Sequence, residues 1–133
     1  MKSPFPVLLV THRAYGTGLL DAARAIVGEV AGVDLQENEG LAPEALGAAI
    51  DRWLLAHPGP AVILTDLGFG SCCQAARHSI RERTDVGVVA GANLPVLLAL
   101  LRSREHADLG GFLAHLAERG RESIQVFRGG RPT

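Results

Sequence analysis

Pro6-Val7-Leu8-Leu9-Val10, followed at once by Thr11-His12-Arg13, decides the fold. Apolar side chains in succession, with no polar alternation, mark a strand buried on both faces. Such a strand sits inside a parallel sheet with helices packed above and below it. Two later runs share this character: Ala61-Val62-Ile63-Leu64-Thr65, ending in Asp66, and Val86-Gly87-Val88-Val89-Ala90.

Helical spacing fills the intervals. Leu19, Leu20, Ala23, Ile26, Val27 and Val30 predict a helix over 18–30, stopped by Gly32. A short strand is expected over 33–37. Pro43 suits a first helical position, and Leu46, Ile50, Trp53 and Leu54 share one face as far as His57. Pro58-Gly59-Pro60 ends that helix. A glycine-containing loop over 67–71 leads to a helix over 72–82. Asn93 is a good N-cap, with Pro95 just inside the helix carrying residues 96–101. A helix over 106–119 buries Leu109, Phe112, Leu113 and Leu116, a last strand is expected over 123–127, and 129–133 reads as a loose tail. The expectation is therefore an α/β fold: a doubly wound, mostly parallel sheet with helices on both faces and right-handed crossovers. The last short strand lies at the sheet edge. No linker, repeat or low-complexity stretch divides residues 1–133, which read as a single domain.

Composition excludes several classes. With 133 residues the chain buries roughly two-thirds of its unfolded surface, so it needs no staple. A hydrophobic share of 47% against 20% charged excludes a disordered chain and a coiled coil. Thirteen basic and 14 acidic residues leave a net charge of -1, whereas a phosphate-backbone binder needs a basic excess, so no nucleic acid is expected as a partner. The two cysteines, adjacent at Cys72 and Cys73, make no disulfide framework and suggest a reducing compartment. Residues 86–101 are uncharged but broken by Gly87, Gly91, Asn93 and Pro95, too short and punctuated to span a membrane. Two prolines and the early His12-Arg13 argue against a signal peptide over residues 1–13. A cytoplasmic location is expected.

In open parallel sheets, chemistry sits beyond the carboxyl ends of the strands. Thr11, His12 and Arg13 follow the first strand, Asp66 and Gly68-Phe69-Gly70-Ser71 the second long run, and Gly91-Ala92-Asn93 the third. If these strands are neighbours, a histidine, a carboxylate, a hydroxyl and backbone amides converge. A neutral imidazole can attack phosphorus with one nitrogen while a carboxylate on the other fixes the tautomer and stabilises the resulting cation. Asp66 can do this for His12. Gly70 lets amides approach closely, the helix start near Ser71 offers more, and Ser71 adds a hydroxyl. Each residue also has an ordinary use: a structural histidine, helix caps at Asp66 and Ser71, a glycine turn.

These segments together resemble the mannose-family enzyme IIA (mannose/fructose family) of the bacterial phosphoenolpyruvate-dependent sugar phosphotransferase system. The likeness lies in Val10-Thr11-His12 with Gly18-Leu19-Leu20 and Ala22-Ala23. It continues in Leu64-Thr65-Asp66-Leu67 with Gly70-Ser71, and in Val89-Ala90-Gly91-Ala92-Asn93-Leu94-Pro95. It runs over about residues 7–127. The resemblance implies a phosphocarrier that takes a phosphoryl group from phospho-HPr onto His12 and hands it to an enzyme IIB in sugar uptake. It implies that Asp66 orients His12, that Nε2 carries the phosphate, and that Ser71, Gly70, Thr11 and Arg13 lie around it. It implies no metal, no cofactor, and a homodimer whose last strand is open to exchange between subunits. The chain would sit beside a membrane permease complex without inserting into the bilayer.

Three departures stand out. Arg13 occupies a place where the family usually has a small residue, often glycine. The aromatic-Gly-Gly-Ser stretch becomes Gly68-Phe69-Gly70-Ser71, and Cys72-Cys73 replaces Pro-Phe. Two alternatives follow. One is a regulatory phosphohistidine module not coupled to transport. The other is a thiol enzyme using Cys72 or Cys73 with His12 and Asp66. His57, His78, His106 and His115 show no metal-ligand spacing, and His106 and His115 are expected on a solvated face. Trp53 is expected in the core rather than as a ligand platform. Arg77, Arg81 and Arg83 form a modest basic stretch, normally a solvated face.

Overall fold

Strands and helices alternate from the first residues onward: β1 (Lys2–His12), α1 (Tyr15–Val27), β2 (Ala31–Asn38), α2 (Pro43–Ala56), β3 (Ala61–Thr65), α3 (Ser71–Ser79), β4 (Val86–Ala90), α4 (Leu94–Arg102) and α5 (Leu109–Glu122). The computed structural model describes residues 1–103 and 108–130. The strands form one sheet in the order β2-β1-β3-β4, and every ladder is parallel. The chain therefore reverses its direction of sheet growth at β1, and the crevice between β1 and β3 is the topological switch point.

The double-sided burial of the β1 and β3 runs explains their composition. Val7, Leu9, Val62 and Leu64 point to one face, with Leu20, Ala23, Leu97, Leu100, Phe112 and Leu116 from α1, α4 and α5. Leu8, Val10, Ala61 and Ile63 point to the other, with Leu46, Ile50 and Leu54 from α2 and Ala76 from α3. Each fully buried aliphatic side chain contributes about 1.5–3 kcal/mol through apolar burial. Among the described residues no helix is long and apolar enough to cross a membrane.

Boundaries moved for local reasons. Helix α1 starts at Tyr15, a turn earlier than the apolar pattern suggested, because Thr11 rather than a helix-start residue takes a first-turn amide, Gly16 N–H, at 2.9 Å. It ends a turn earlier too, at Gly28, whose φ of 83° is a left-handed conformation natural to glycine. Strand β2 extends to Asn38, one residue beyond the expected end. The two predicted starts hold: Asn93 Oδ1 accepts from Val96 N–H at 3.0 Å, and Pro43 opens α2. Helix α5 begins at Leu109, with Asp108 Oδ1 accepting from Gly111 N–H at 3.0 Å; the expected start at His106 lies outside the described residues, as does the tail beyond 130.

The expected strand over 123–127 is absent from the sheet of the single chain. Ser123 caps α5, and residues 124–128 pair with no strand. Ile124, Val126 and Phe127 are 75–89% exposed. The apolar character that suggested a strand is real, but a strand needs a neighbour to receive its N–H and C=O groups, and none is supplied here.

Trp53 is half-buried rather than central: its indole N–H donates to Asp34 at 2.8 Å and its ring stacks on His57 with centroids 4.2 Å apart. Arg83 leaves the expected basic face to pair with Asp85 at 2.8 Å and to donate to the carbonyls of Pro58 and Gly59.

Candidate active site at the strand switch point

The carboxyl ends of β1 and β3 bring His12 and Asp66 together across the switch-point crevice, 54 residues apart in sequence. Asp66 Oδ2 accepts from the His12 backbone N–H at 2.8 Å and faces the ring Nδ1 at 3.0 Å; Oδ1 lies 3.2 Å from Nδ1. An ionised carboxylate only accepts, so Nδ1 carries the proton and Nε2 keeps its lone pair. The His12 side chain is 40% exposed and that of Asp66 only 10%, so the anchor is sheltered while the outer ring edge is open.

Ser71, first residue of α3, lies with Oγ 3.3 Å from Nε2. Gly70 precedes it with φ 96°, ψ 179°, a conformation closed to L side chains. A Cβ there would meet the ring at Cε1, 3.7 Å away. The loop thus passes beside the imidazole, and the first amides of α3, uncapped by any side chain, begin next to Nε2. The exchanged order Gly68-Phe69-Gly70 keeps glycine where the backbone needs it and turns Phe69 outward, 73% exposed.

Arg13 adopts φ 48°, left-handed for a residue with a Cβ. The backbone therefore retains the glycine conformation at the position where the resemblance expects a small residue, at a cost of about 1–2 kcal/mol. Its N–H donates to Asn38 O at 3.1 Å, and its guanidinium lies 3.7 Å from Glu39, both side chains well exposed. That ion pair draws the Arg13 head group toward the end of β2. Thr11 is fully buried, with its hydroxyl on Gly16 N–H. Its geometry is that of a brace for the loop that carries His12. Thr11→Val, which keeps the shape but orphans the Gly16 amide, should lower unfolding free energy by about 1–3 kcal/mol. Urea denaturation reads that loss, and phosphoryl acceptance by the folded fraction should persist. Loss of acceptance at full stability would place Thr11 on the phosphate instead.

Two residues missed by sequence reasoning complete the surroundings. Asn38, opposite His12 in the β1–β2 register, donates from Nδ2 to Ser71 Oγ at 3.0 Å. Tyr15 donates its hydroxyl to Ala92 O at 2.9 Å; burial, and then the Asp66 charge, raise its pKa above the usual tyrosine value. Asn38 was hidden by ending β2 one residue short, and its only signal was that parallel neighbours end side by side.

His12, Asp66 and Cys72 gather a ring nitrogen, a carboxylate oxygen and a thiol within 4.8 Å. Cys72 is buried, and burial followed by the Asp66 charge pushes its pKa up. A thiol held protonated is neither an activated nucleophile nor a ready metal ligand. Both cysteines are buried, and the Cys72 thiol also meets the Asn38 and Ser71 side chains, an environment that works against the thiol-enzyme alternative.

A parallel sheet in 2-1-3-4 order with a histidine–carboxylate pair at its switch point defines a doubly wound α/β protein with its candidate site on the strand ends. Within that class the chain belongs to the EIIA-man family, described as PTS system fructose IIA component, whose sequence profile matches residues 6–117. The PTS system fructose-specific EIIA component of Bacillus subtilis (strain 168) is 37% identical over 65 residues; the match covers 49% of this chain and 44% of that protein, less than half of its length. The mannose/sorbose specific IIA subunit of the phosphotransferase system from Enterococcus faecalis superposes with a TM-score of 0.82 and 25% identity, with all of both chains covered. The phosphotransferase system component EIIA from Streptococcus agalactiae gives a TM-score of 0.83 at 22% identity, over 95% of this chain and 97% of that one, and so shares the fold.

Proposed function

We propose that the chain is a phosphocarrier: His12 Nε2 accepts a phosphoryl group from phospho-HPr, and an enzyme IIB removes it in sugar uptake. The observation that carries this reading is the Asp66–Nδ1 pair, which leaves Nε2 as the outward lone pair beside Ser71 and the α3 amides. As the Nε2–P bond forms, the P–N bond to the donor's histidine breaks and the donor ring recovers its electron pair. Nδ1 keeps its proton, and the ring's new positive charge faces the Asp66 carboxylate. Backbone amides and the Ser71 hydroxyl receive the phosphoryl oxygens. Tyr15, Leu67 and Phe69, exposed on the same strand-end surface, give the donor and acceptor an apolar rim to dock on. The same chemistry requires a cytoplasmic location, where HPr works.

Incubation with phosphoenolpyruvate, enzyme I and HPr tests the reading. One acid-labile phosphoryl group per chain is expected by intact mass. An enzyme IIB that then discharges it supports transport. A phosphoprotein no enzyme IIB discharges, but which binds a regulator only when phosphorylated, supports the regulatory alternative.

A homodimer belongs to the same reading. The exposed 124–127 segment and the outer edge of β4, unpaired among the described residues, are two halves of an unmade ladder, and a second copy completes both. Sedimentation should give twice 14.0 kDa, and removal of residues 124–133 should give a monomer. A full-length chain that sediments as a monomer at micromolar concentration overturns the dimer.

A further inference from the structure

We propose that Asn38 is a positioning residue for His12: it holds the Ser71 hydroxyl in the orientation that supports an Nε2 without a proton. The assignment rests on the phosphocarrier reading for its purpose but not for its geometry.

The direction follows from donors that cannot be reversed. Leu41 N–H can only donate, and it meets Asn38 Oδ1 at 3.2 Å. That fixes the amide, so the nitrogen is the group facing Ser71, and Nδ2–H donates to Ser71 Oγ at 3.0 Å. Ser71 has a single proton. Asn38 fills one of the two lone pairs of Oγ, and because Asp66 holds the ring proton on Nδ1, the Ser71 proton is the one that spans the remaining 3.3 Å to the bare Nε2. Asp66 imposes the same tautomer from the other side of the ring, because it can only accept from Nδ1. Asp66 fixes the tautomer and Asn38 favours the Ser71 orientation that agrees with it, and hydrogen bonds aligned in series reinforce one another.

Asn38 is held for this task. It is the register partner of His12, and its carbonyl accepts from the Arg13 N–H at 3.1 Å. The titratable groups around the ring are Asp66, the protonated Cys72 and, beyond Asp66, Tyr15. Arg13 and Glu39 pair with each other at the exposed end of β2, and Glu37 takes the Thr17 hydroxyl at 2.8 Å. When the phosphoryl group arrives, it consumes the Nε2 lone pair, and the Ser71 proton transfers its hydrogen bond to a phosphoryl oxygen while Asn38 still steadies Oγ.

Asn38→Asp reverses the chain. A carboxylate there takes the Ser71 proton and turns an oxygen lone pair toward Nε2, which then favours a protonated nitrogen. The test compares wild type, Asn38→Ala, Asn38→Asp, Ser71→Ala and the Asn38→Ala/Ser71→Ala pair, each checked for an unchanged melting transition. Ring ¹⁵N shifts of His12 give protonation with no phosphoryl donor present. Asn38→Asp should hold protons on both nitrogens at a pH where the wild-type ring is neutral, and should accept phosphate about a hundredfold more slowly. Asn38→Ala should slow acceptance about tenfold, and should cost nothing further once Ser71 is alanine. The proposal is overturned if Asn38→Asp leaves the ring as in wild type, or if Asn38→Ala is as costly without the Ser71 hydroxyl as with it. Failure of wild type to take phosphate would sink the phosphocarrier reading alone, because the ring shifts still decide the role of Asn38.

Discussion

His12→Gln yields a folded protein that takes up no phosphate. The side chain is 40% exposed and makes no core contact, so its replacement leaves both hydrophobic layers intact and the melting transition within a degree or two of wild type. A glutamine amide can still meet Asp66 with its N–H groups. It has no basic lone pair, however, because the amide nitrogen is delocalised. The acceptor atom is gone while the pocket persists, so acceptance should fall below detection, a loss of at least about 10³-fold. Intact mass after incubation with the phosphoenolpyruvate-driven donor system reads the result directly. A glutamine variant carrying the wild-type complement of acid-labile phosphate would place the phosphorylated residue elsewhere and remove the basis of the proposed function.

Asp66→Asn should be the next most damaging change, for a different reason. Asp66 Oδ2 faces both the backbone N–H and the ring Nδ1 of His12. An asparagine has one oxygen and one amide. Its oxygen meets the backbone donor, which cannot change sign, and its N–H₂ then faces Nδ1. The ring answers by moving its proton to Nε2, the atom that must attack. The same substitution removes the carboxylate that balances the cation formed on transfer. Together these should slow acceptance by about 10²–10⁴-fold with little change in stability. Rapid-quench rates and ring ¹⁵N shifts check the two parts separately. A variant within threefold of wild type, with its Nδ1 proton in place, would show that the pair is structural only.

Much of this site was legible because its two principal residues sit at the ends of strands that advertise themselves. The runs 6–10 and 61–65 can only be double-buried strands, and in a parallel sheet their ends must lie on one edge. That His12 and Asp66 lie side by side follows from that; the role given to them rests on the family resemblance as well. Thr11 shows the limit of the same logic: one position earlier on the same strand, its side chain is fully buried and braces Gly16. Adjacency in sequence placed it near the site, and strand alternation turned it inward. Asn38 and Tyr15 were invisible for the converse reason, since nothing local marks a residue whose importance comes from a distant partner, the sheet neighbour His12 for Asn38 and the Ala92 carbonyl for Tyr15. The segment 124–127 has a strand composition but pairs with no strand of the single chain, and no periodicity can reveal whether a strand finds a partner.

The double grip of Asp66 on His12 has a consequence for traffic. Main chain and imidazole of one residue are tied to a single carboxylate, so the ring cannot swing from a loading position to an unloading one. Only its outer edge faces solvent, with Gly70 closing one flank. On the proposed function, donor and acceptor must therefore use one berth in turn, each leaving before the other arrives. A phosphocarrier of this build would be a relay post with no moving arm, its throughput set by how quickly its visitors depart.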